Sequence, residues 1–311
     1  MKYIEDFKED DKIIGHYLCK QRQSLKTKSG KTYLSLKLQD KTGLIDAKVW
    51  DLSNDIQSFE EKDIIKIEGN VLIYQNVPQL KVHKIRKSTE GEYLESDFIP
   101  TTDKDVDSLY KSLLGFITSI NNIHIRTLLE NIFINNKHIL KHIKTHSAAK
   151  SLHHGYMGGL IEHIVSVTSI SDFLSANYKF VNRDILIAGS LLHDLGKIYE
   201  LSPFPSNDYT DEGELIGHIV IGVEVLTKEA SKIDGFSQET LNLLKHCIVS
   251  HHGELEFGSP QKPKTIEAII IHSADNADSK IKMYEEAMSK SDIKSAWVGY
   301  HNLLKVNIRK S

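Results

Sequence analysis

His163, the pair His193-Asp194, His218, the pair His251-His252 and Asp275 lie along the C-terminal half of this chain. Imidazoles and carboxylates in combination are ligands for first-row divalent metals, and the carboxylate of an adjacent His-Asp pair can bridge two ions. Each of these residues falls on or at the end of a segment with helical periodicity. His163 has Leu160 at i−3, Val167 at i+4 and Ile170 at i+7; His218 is flanked by Leu215, Ile221, Gly222 and Val225; His251 is flanked by Leu244, Cys247 and Ile248. Those spacings turn each imidazole toward the apolar side of its helix. A lone inward histidine is ordinarily a core residue bonded to a carbonyl. Several of them with two aspartates on separate helices are hard to satisfy without a cation, because ionised carboxylates are rarely buried unpaired.

The elements that must position these residues form the second part of a multidomain α+β chain. With 311 residues, two cores are expected. Residues 1–88 read as a set of five β runs, among them Tyr33–Leu38, Leu44–Trp50, Ile64–Gly69 and, as the fifth, Gln79–Ile85, which alternate or are β-branched, with breaks at Ser29-Gly30, Asp40–Gly43 and Gln75-Asn76. Five short strands over this length predict a small barrel. Residues 89–104 are polar and turn-rich, as a linker would be. Helical spacing starts near Asp105, with Val106, Leu109, Leu113, Phe116, Ile117 and Ile120, then Ile125, Leu128, Leu129, Ile132 and Phe133. Residues 105–150 are read as a helical covering segment, and 151–311 as the all-α bundle that carries the ligands.

Charge is divided between the parts. Residues 1–88 carry 17 Lys and Arg against 13 Asp and Glu, while the remainder carries 22 against 29, so the net charge of −3 conceals a basic front and an acidic rear. A basic barrel suits a nucleic-acid strand. Such barrels stack bases on aromatics within a basic groove; Tyr33, Trp50 and Tyr74 are candidate platforms, and Lys26, Lys28, Lys31 and Lys48 candidate phosphate contacts. The competing reading places those aromatics in the barrel core. Cys19 and Cys247 are too few and too far apart for a disulfide framework. No apolar run approaches a membrane span or a signal peptide, which makes a cytoplasmic location the expectation.

The stretch Leu192-His193-Asp194-Leu195-Gly196-Lys197, in series with His163, His218, His251-His252 and Asp275, resembles the HD-domain superfamily of metal-dependent phosphohydrolases. The segment Ala149–His163, together with the β module in front, which looks like an OB-fold, resembles the YhaM family of 3′→5′ exoribonucleases. That resemblance implies a metal-dependent enzyme releasing nucleoside 5′-monophosphates from single-stranded RNA, with single-stranded DNA left open as a second substrate. It further implies two divalent ions, Mn in the first place with Fe, Ni, Co or Zn as alternatives. His163, His193, Asp194 and Asp275 would hold one; Asp194 would bridge to a second on His218 and on His251 or His252. Lys197, just past Gly196, is expected to leave a helix end and meet the phosphate. His153 and His154 are candidate nucleotide contacts, Glu162 a candidate anchor for a ligating histidine, and His246 and His272 outlying groups. Two other classes stay in play: a hydrolase of small cyclic or triphosphate nucleotides, and a nucleic-acid-binding protein without catalysis. The oligomeric state is left open.

Overall fold

The computed structural model describes residues 1–52, 55–75, 77–94, 97–150, 154–289 and 296–310. His153 and Asn76 therefore lie outside the described residues. The chain divides into two compact units, Met1–Thr101 with Phe204–Ser206, and Thr102–Pro203 with Asn207–Ser311.

In the first unit, β1 (Lys12–Lys26), β2 (Thr32–Asp40), β3 (Gly43–Val49), β4 (Ile64–Tyr74) and β5 (Val77–Lys87) close a barrel in the order β1-β2-β3-β5-β4. The long β1 serves two neighbours, pairing through Lys12–Leu18 with β4 and through Leu18–Lys26 with β2, with a bulge between Cys19 and Gln21. A bulge bends a strand enough to let it turn this corner. Alternation sends Leu36, Leu38, Ile45, Ala47, Val49, Ile65, Ile67, Leu80 and Val82 inward, with Tyr17 and Phe59 as large aromatics in the same core. The turn after β2 is tied by Asp40, whose Oδ1 accepts from the amides of Thr42 and Gly43 at 2.8 and 3.1 Å.

The expected linker at 89–104 is not a free connection in its described part. The Phe98 carbonyl accepts from Gln39 Nε2 at 2.9 Å, the Asp97 carbonyl from the Lys41 amide at 2.8 Å, and Arg86 grips Glu92 through both guanidinium nitrogens at 2.7 and 2.6 Å. Two backbone carbonyls and the Glu92 carboxylate tie the segment to the barrel, while Thr89, Glu90, Thr101 and Asp103 keep the exposure that their polarity suggested.

The second unit holds α1 (Val106–Thr118), α2 (Ile123–Glu130), α3 (Lys137–Ile143), α4 (Gly159–Ser175), α5 (Arg183–Leu192), α6 (Lys197–Glu200), α7 (Asp211–Ile216), α8 (His218–Ala230), α9 (Gln238–Ser250) and α10 (Ile266–Ser289). Side-chain caps start many of them: Asp105, Asn122, Asn136, Asn182, Thr210 and Ser237 each accept from an amide of the first turn. In α5 every residue from Ile185 to Leu192 is buried, the mark of a helix surrounded on all sides. Its C-terminal end therefore delivers His193 and Asp194 into the interior. Leu109, Leu113, Leu128 and Ile139 belong to the same core as Leu160, Leu186, Leu244 and Ile271, so α1–α3 are integral to the bundle and not a separate covering layer. The bundle is also not wholly helical: β6 (Trp297–His301) and β7 (Val306–Arg309) form an antiparallel ribbon. Its aromatic and β-branched residues, Trp297, Val298 and Tyr300, suit strands, a signal too short to stand out against the preceding helix. Both thiols are buried, which pushes Cys19 and Cys247 up to about 12. Among the described residues no helix is long and apolar enough to cross a membrane.

Candidate active site

Five histidines converge in the second unit, and their hydrogen bonds determine which nitrogen is available. His193 Nδ1 donates to the Ser190 carbonyl at 2.7 Å, and His251 Nδ1 to the Ile248 carbonyl at 2.7 Å, each three residues back at the end of its own helix. His252 Nδ1 donates to the Phe257 carbonyl at 3.0 Å. His218 Nδ1 is held by Glu200 at 2.8 Å and His163 Nδ1 by Asp278 at 2.8 Å. Carbonyls and ionised carboxylates only accept, so Nδ1 carries a proton, and in a neutral ring a lone pair is left on Nε2. Partners of this kind hold an imidazole in the tautomer a metal ligand needs.

Around Asp194 the Nε2 atoms fall into two groups. Asp194 Oδ2 lies 3.3 Å from His163 Nε2 and 3.5 Å from His193 Nε2, and Asp275 Oδ1 lies 3.3 Å from His163 Nε2. Asp194 Oδ1 lies 3.6 Å from both His218 Nε2 and His251 Nε2. Ligand atoms of His163, His193 and Asp275 all lie within 4.8 Å of one another, as do those of His218, His251 and His252. Three atoms of the second group, Asp194 Oδ1, His218 Nε2 and His251 Nε2, are buried without a hydrogen-bond partner. An unpaired buried polar atom costs about 1–3 kcal/mol, and three acceptors meeting with no proton among them are what a divalent cation would satisfy. The donor set fits such an ion, and the two groups could each hold one.

Electrostatics agree. Burial pushes His251 well below the usual imidazole range, with the neighbouring His252 adding to it, and burial likewise lowers His193 and His252. All three are thus neutral and ready to ligate at neutral pH. Burial opposes charge on His163, but Asp194, Asp275 and Asp278 outweigh it and raise this histidine well above its ordinary value. Burial also opposes ionisation of Asp194, yet Lys197 and His193 hold the carboxyl far below the carboxylate range.

The remaining candidates are placed as follows. Lys197 does not leave a helix end. It opens α6, with Gly196 in ordinary right-handed geometry before it, and its Nζ sits 2.7 Å from Asp194 Oδ2. The buried acid attracts the lysine inward. Gly196 is required for closeness, because a Cβ there would lie 2.0 Å from the His218 carbonyl oxygen. Glu162 anchors no ligating histidine; it accepts from Thr102 Oγ1 at 2.5 Å and from Tyr156 at 2.9 Å, and pairs with Lys104 and Lys282 at 3.2 and 3.3 Å. His163 is held instead by Asp278, which also receives His154 Nε2 at 3.0 Å and the Ser166 hydroxyl. His154 is buried behind His163 in left-handed backbone, φ 57°. His272 Nδ1 donates to the His251 carbonyl at 2.8 Å, and His246 Nε2 accepts the Lys264 amide at 2.8 Å. Two participants were not foreseen. Asp278 could have been found, being three residues after Asp275 and so on the same helix face. Nothing in the sequence connects Glu200 to His218.

On the barrel, the candidate aromatics are outside the core. Tyr33 and Trp50 stack on each other with ring centroids 4.5 Å apart and planes 24° apart, and Trp50 and Tyr74 are 41% and 61% exposed. Strand register extends this into an outer face. Leu25 pairs with Tyr33; Gln23, Ser35, Lys48 and Lys81 form the next row; Gln21, Lys37, Asp46 and Gln79 the third. Lys48 Nζ donates to Ser35 Oγ at 2.6 Å, while Lys28 is exposed in the β1–β2 turn. An apolar, aromatic row beside a basic row can stack bases and hold phosphates.

Residues 160–280 match the HD domain family, and residues 20–87 match an OB-fold nucleic acid binding domain. Among solved structures, the second OB-fold domain of replication protein A from Methanococcus maripaludis is 20% identical, with 30% of this chain and 98% of that one covered and a TM-score of 0.24. A replication protein A heterotrimer bound to ssDNA is 11% identical, with 28% and 64% covered and a TM-score of 0.23. At such scores neither likeness carries weight. The 3′-5′ exoribonuclease YhaM of Geobacillus sp. (strain WCH70) is 36% identical over 291 residues, 93% of this chain and 89% of that protein. With an OB-fold barrel in front of an HD bundle and this identity over nearly its whole length, the chain belongs to the family of the 3′-5′ exoribonuclease YhaM.

Proposed function

We propose that this protein removes nucleotides from the 3′ end of single-stranded RNA and releases nucleoside 5′-monophosphates, using two divalent ions, with Mn²⁺ the preferred one. The observation that carries this reading is the convergence of Asp194 Oδ1, His218 Nε2 and His251 Nε2, buried and unbonded, in a chain that also carries an aromatic and basic OB-fold face. His163, His193, Asp194 and Asp275 would hold one ion; Asp194, His218, His251 and His252 the other. Bound there, the ions would supply Lewis-acid neutralisation of the phosphate and an activated water.

The chain's own residues do the remainder. Nδ1 anchoring keeps each imidazole aimed inward without reorganisation. Lys197 holds the Asp194 carboxylate by its 2.7 Å contact and adds positive charge at the place where phosphate charge must be balanced. On the barrel, Tyr33 and Trp50 stack bases while Lys48, Lys81 and Lys28 meet phosphates. A cytoplasmic site of action goes with this reading.

The test is incubation of the purified protein with 5′-labelled single-stranded RNA and Mn²⁺, beside matching DNA and a chelator control. A chelator-sensitive ladder shortening from the 3′ end is the expected result. Intact RNA with turnover of mononucleotides would overturn it in favour of a small-nucleotide hydrolase.

A further inference from the structure

Helix α8 begins at His218, and the residue before it, Gly217, has φ 77° and ψ 154° and no side chain with which to cap it. The first amides of a helix need an acceptor. Here it comes from another element. Glu200 Oε1 accepts the His218 amide at 2.9 Å, and the same oxygen accepts His218 Nδ1 at 2.8 Å. One carboxylate oxygen thus starts the helix and selects the tautomer of its first side chain.

Glu200 is itself fixed from two sides. Its carbonyl accepts the Thr210 amide at 2.9 Å, and Gly213 lies so close that a Cβ there would stand 2.2 Å from that carbonyl oxygen. It also ends α6, the four-residue helix that Lys197 opens, and Lys197 is bound to Asp194. Helix α6 is therefore a short strut, with Asp194 gripped at one end and His218 at the other. The Glu200 side chain is only 12% exposed, so its hydrogen bonds are little exchanged with water.

We infer that Glu200 is a positioning residue for the metal centre: it turns the His218 Nε2 lone pair into the space that it shares with Asp194 Oδ1 and His251 Nε2 and so controls the affinity of the ion at the His218–His251–His252 end. The inference rests on the reading of these clusters as a metal site. Partners of ligating histidines of this kind are worth about 10–100-fold in metal affinity. Glu200→Ala removes both the cap and the tautomer lock. Glu200→Gln keeps an accepting oxygen and removes the charge that makes the imidazole a better donor.

The experiment is titration of the full-length, metal-stripped protein with Mn²⁺, followed by calorimetry and by the metal retained after desalting, with Asp275→Ala marking the ion at the opposite end. Glu200→Ala is expected to weaken one of the two ions by about 10–100-fold and leave the ion lost in Asp275→Ala unchanged. Glu200→Gln should lose less, on the order of tenfold or below. A merely structural role would weaken both ions together or neither. If Glu200→Ala does not fold, Glu200→Gln carries the test, and wild-type affinity for both ions in a folded Glu200→Gln would overturn the inference. A wild-type protein that takes up no divalent ion would instead overturn the metal reading beneath it.

Discussion

Gly196→Ala isolates the packing that places His218 in the site. Gly196 has φ −61° and ψ −21°, geometry that alanine adopts freely, so the substitution brings no backbone strain. Its effect is steric. The new Cβ would lie 2.0 Å from the His218 carbonyl oxygen, 2.7 Å from the His218 carbonyl carbon and 2.9 Å from the Gly222 amide nitrogen. An unstrained contact needs about 3.5 Å, so after shared relaxation the start of α8 must retreat by on the order of 1 Å. Overpacking of this kind costs about 1–3 kcal/mol of stability. His218 moves with its own backbone, away from the 3.6 Å approach to Asp194 Oδ1, and a displacement of about 1 Å in a catalytic constellation can cost about 10²-fold in rate. The assay is the initial rate on 5′-labelled single-stranded RNA across a Mn²⁺ titration, with urea unfolding to confirm that the variant is folded. Gly115→Ala is the reference, since Gly115 lies within α1 and a Cβ there meets nothing within 4 Å; it should keep the wild-type rate and gain about 0.4–1 kcal/mol of stability. A folded Gly196→Ala with wild-type rate and Mn²⁺ dependence would refute the reasoning.

Asp194→Ala removes the carboxylate facing both histidine groups and leaves Lys197 buried without its 2.7 Å partner, so RNA hydrolysis should fall below detection and bound metal should drop; retention of either at wild-type level would count against the shared role of Asp194. Tyr33→Ala with Trp50→Ala should weaken strand binding in chelator by about 1–3 kcal/mol per base lost, read by fluorescence anisotropy, with metal content unchanged; equal affinity would return the pair to a structural role. The metal-free protein should lose stability in acid. Burial lowers His16, His138, His146, His154, His193, His246, His251 and His252 below the reference value of 6.5, while His163 is raised above it. A lowered histidine contributes stability that is full above the unfolded value and is lost as pH falls toward its folded value. The raised His163 acts the other way, contributing below the unfolded value and losing that contribution as pH rises through its folded value. Below the unfolded value of 6.5 eight lowered groups act against one raised group, so the urea midpoint falls between about pH 6.5 and about 5.5; a midpoint that rises across that window would show that His163 dominates.

Much of this protein is legible from local pattern. Alternation in Leu34–Leu38 and Ile45–Val49 specifies strands with one face inward, because the pleat has a period of two. Helical spacing around His163 and His251 likewise specifies which way those side chains turn. Side-chain direction within an element depends on neighbours three or four residues away, so one sequence suffices to read it. The outward direction of Tyr33 and Trp50 follows the same alternation, though their stacking depends on β2 lying beside β3.

What the chain does not announce is whatever depends on two distant segments meeting. Glu200 lies on a four-residue helix with no periodicity of its own, and its bond to His218 exists because α6 and α8 approach closely at Gly196. Lys197 reads as a helix-terminal lysine, yet the buried Asp194 carboxylate attracts it inward. Glu162 and Asp278 are alike on paper. Burial beside Thr102, Tyr156, Lys104 and Lys282 occupies the first, while the turn of α10 against α4 gives the second to His163. Ligand types and helix faces are local properties; tautomers, caps supplied from afar and the division of one carboxylate between two groups of imidazoles arise only when helices pack, because each is a contact made across the bundle at hydrogen-bond range.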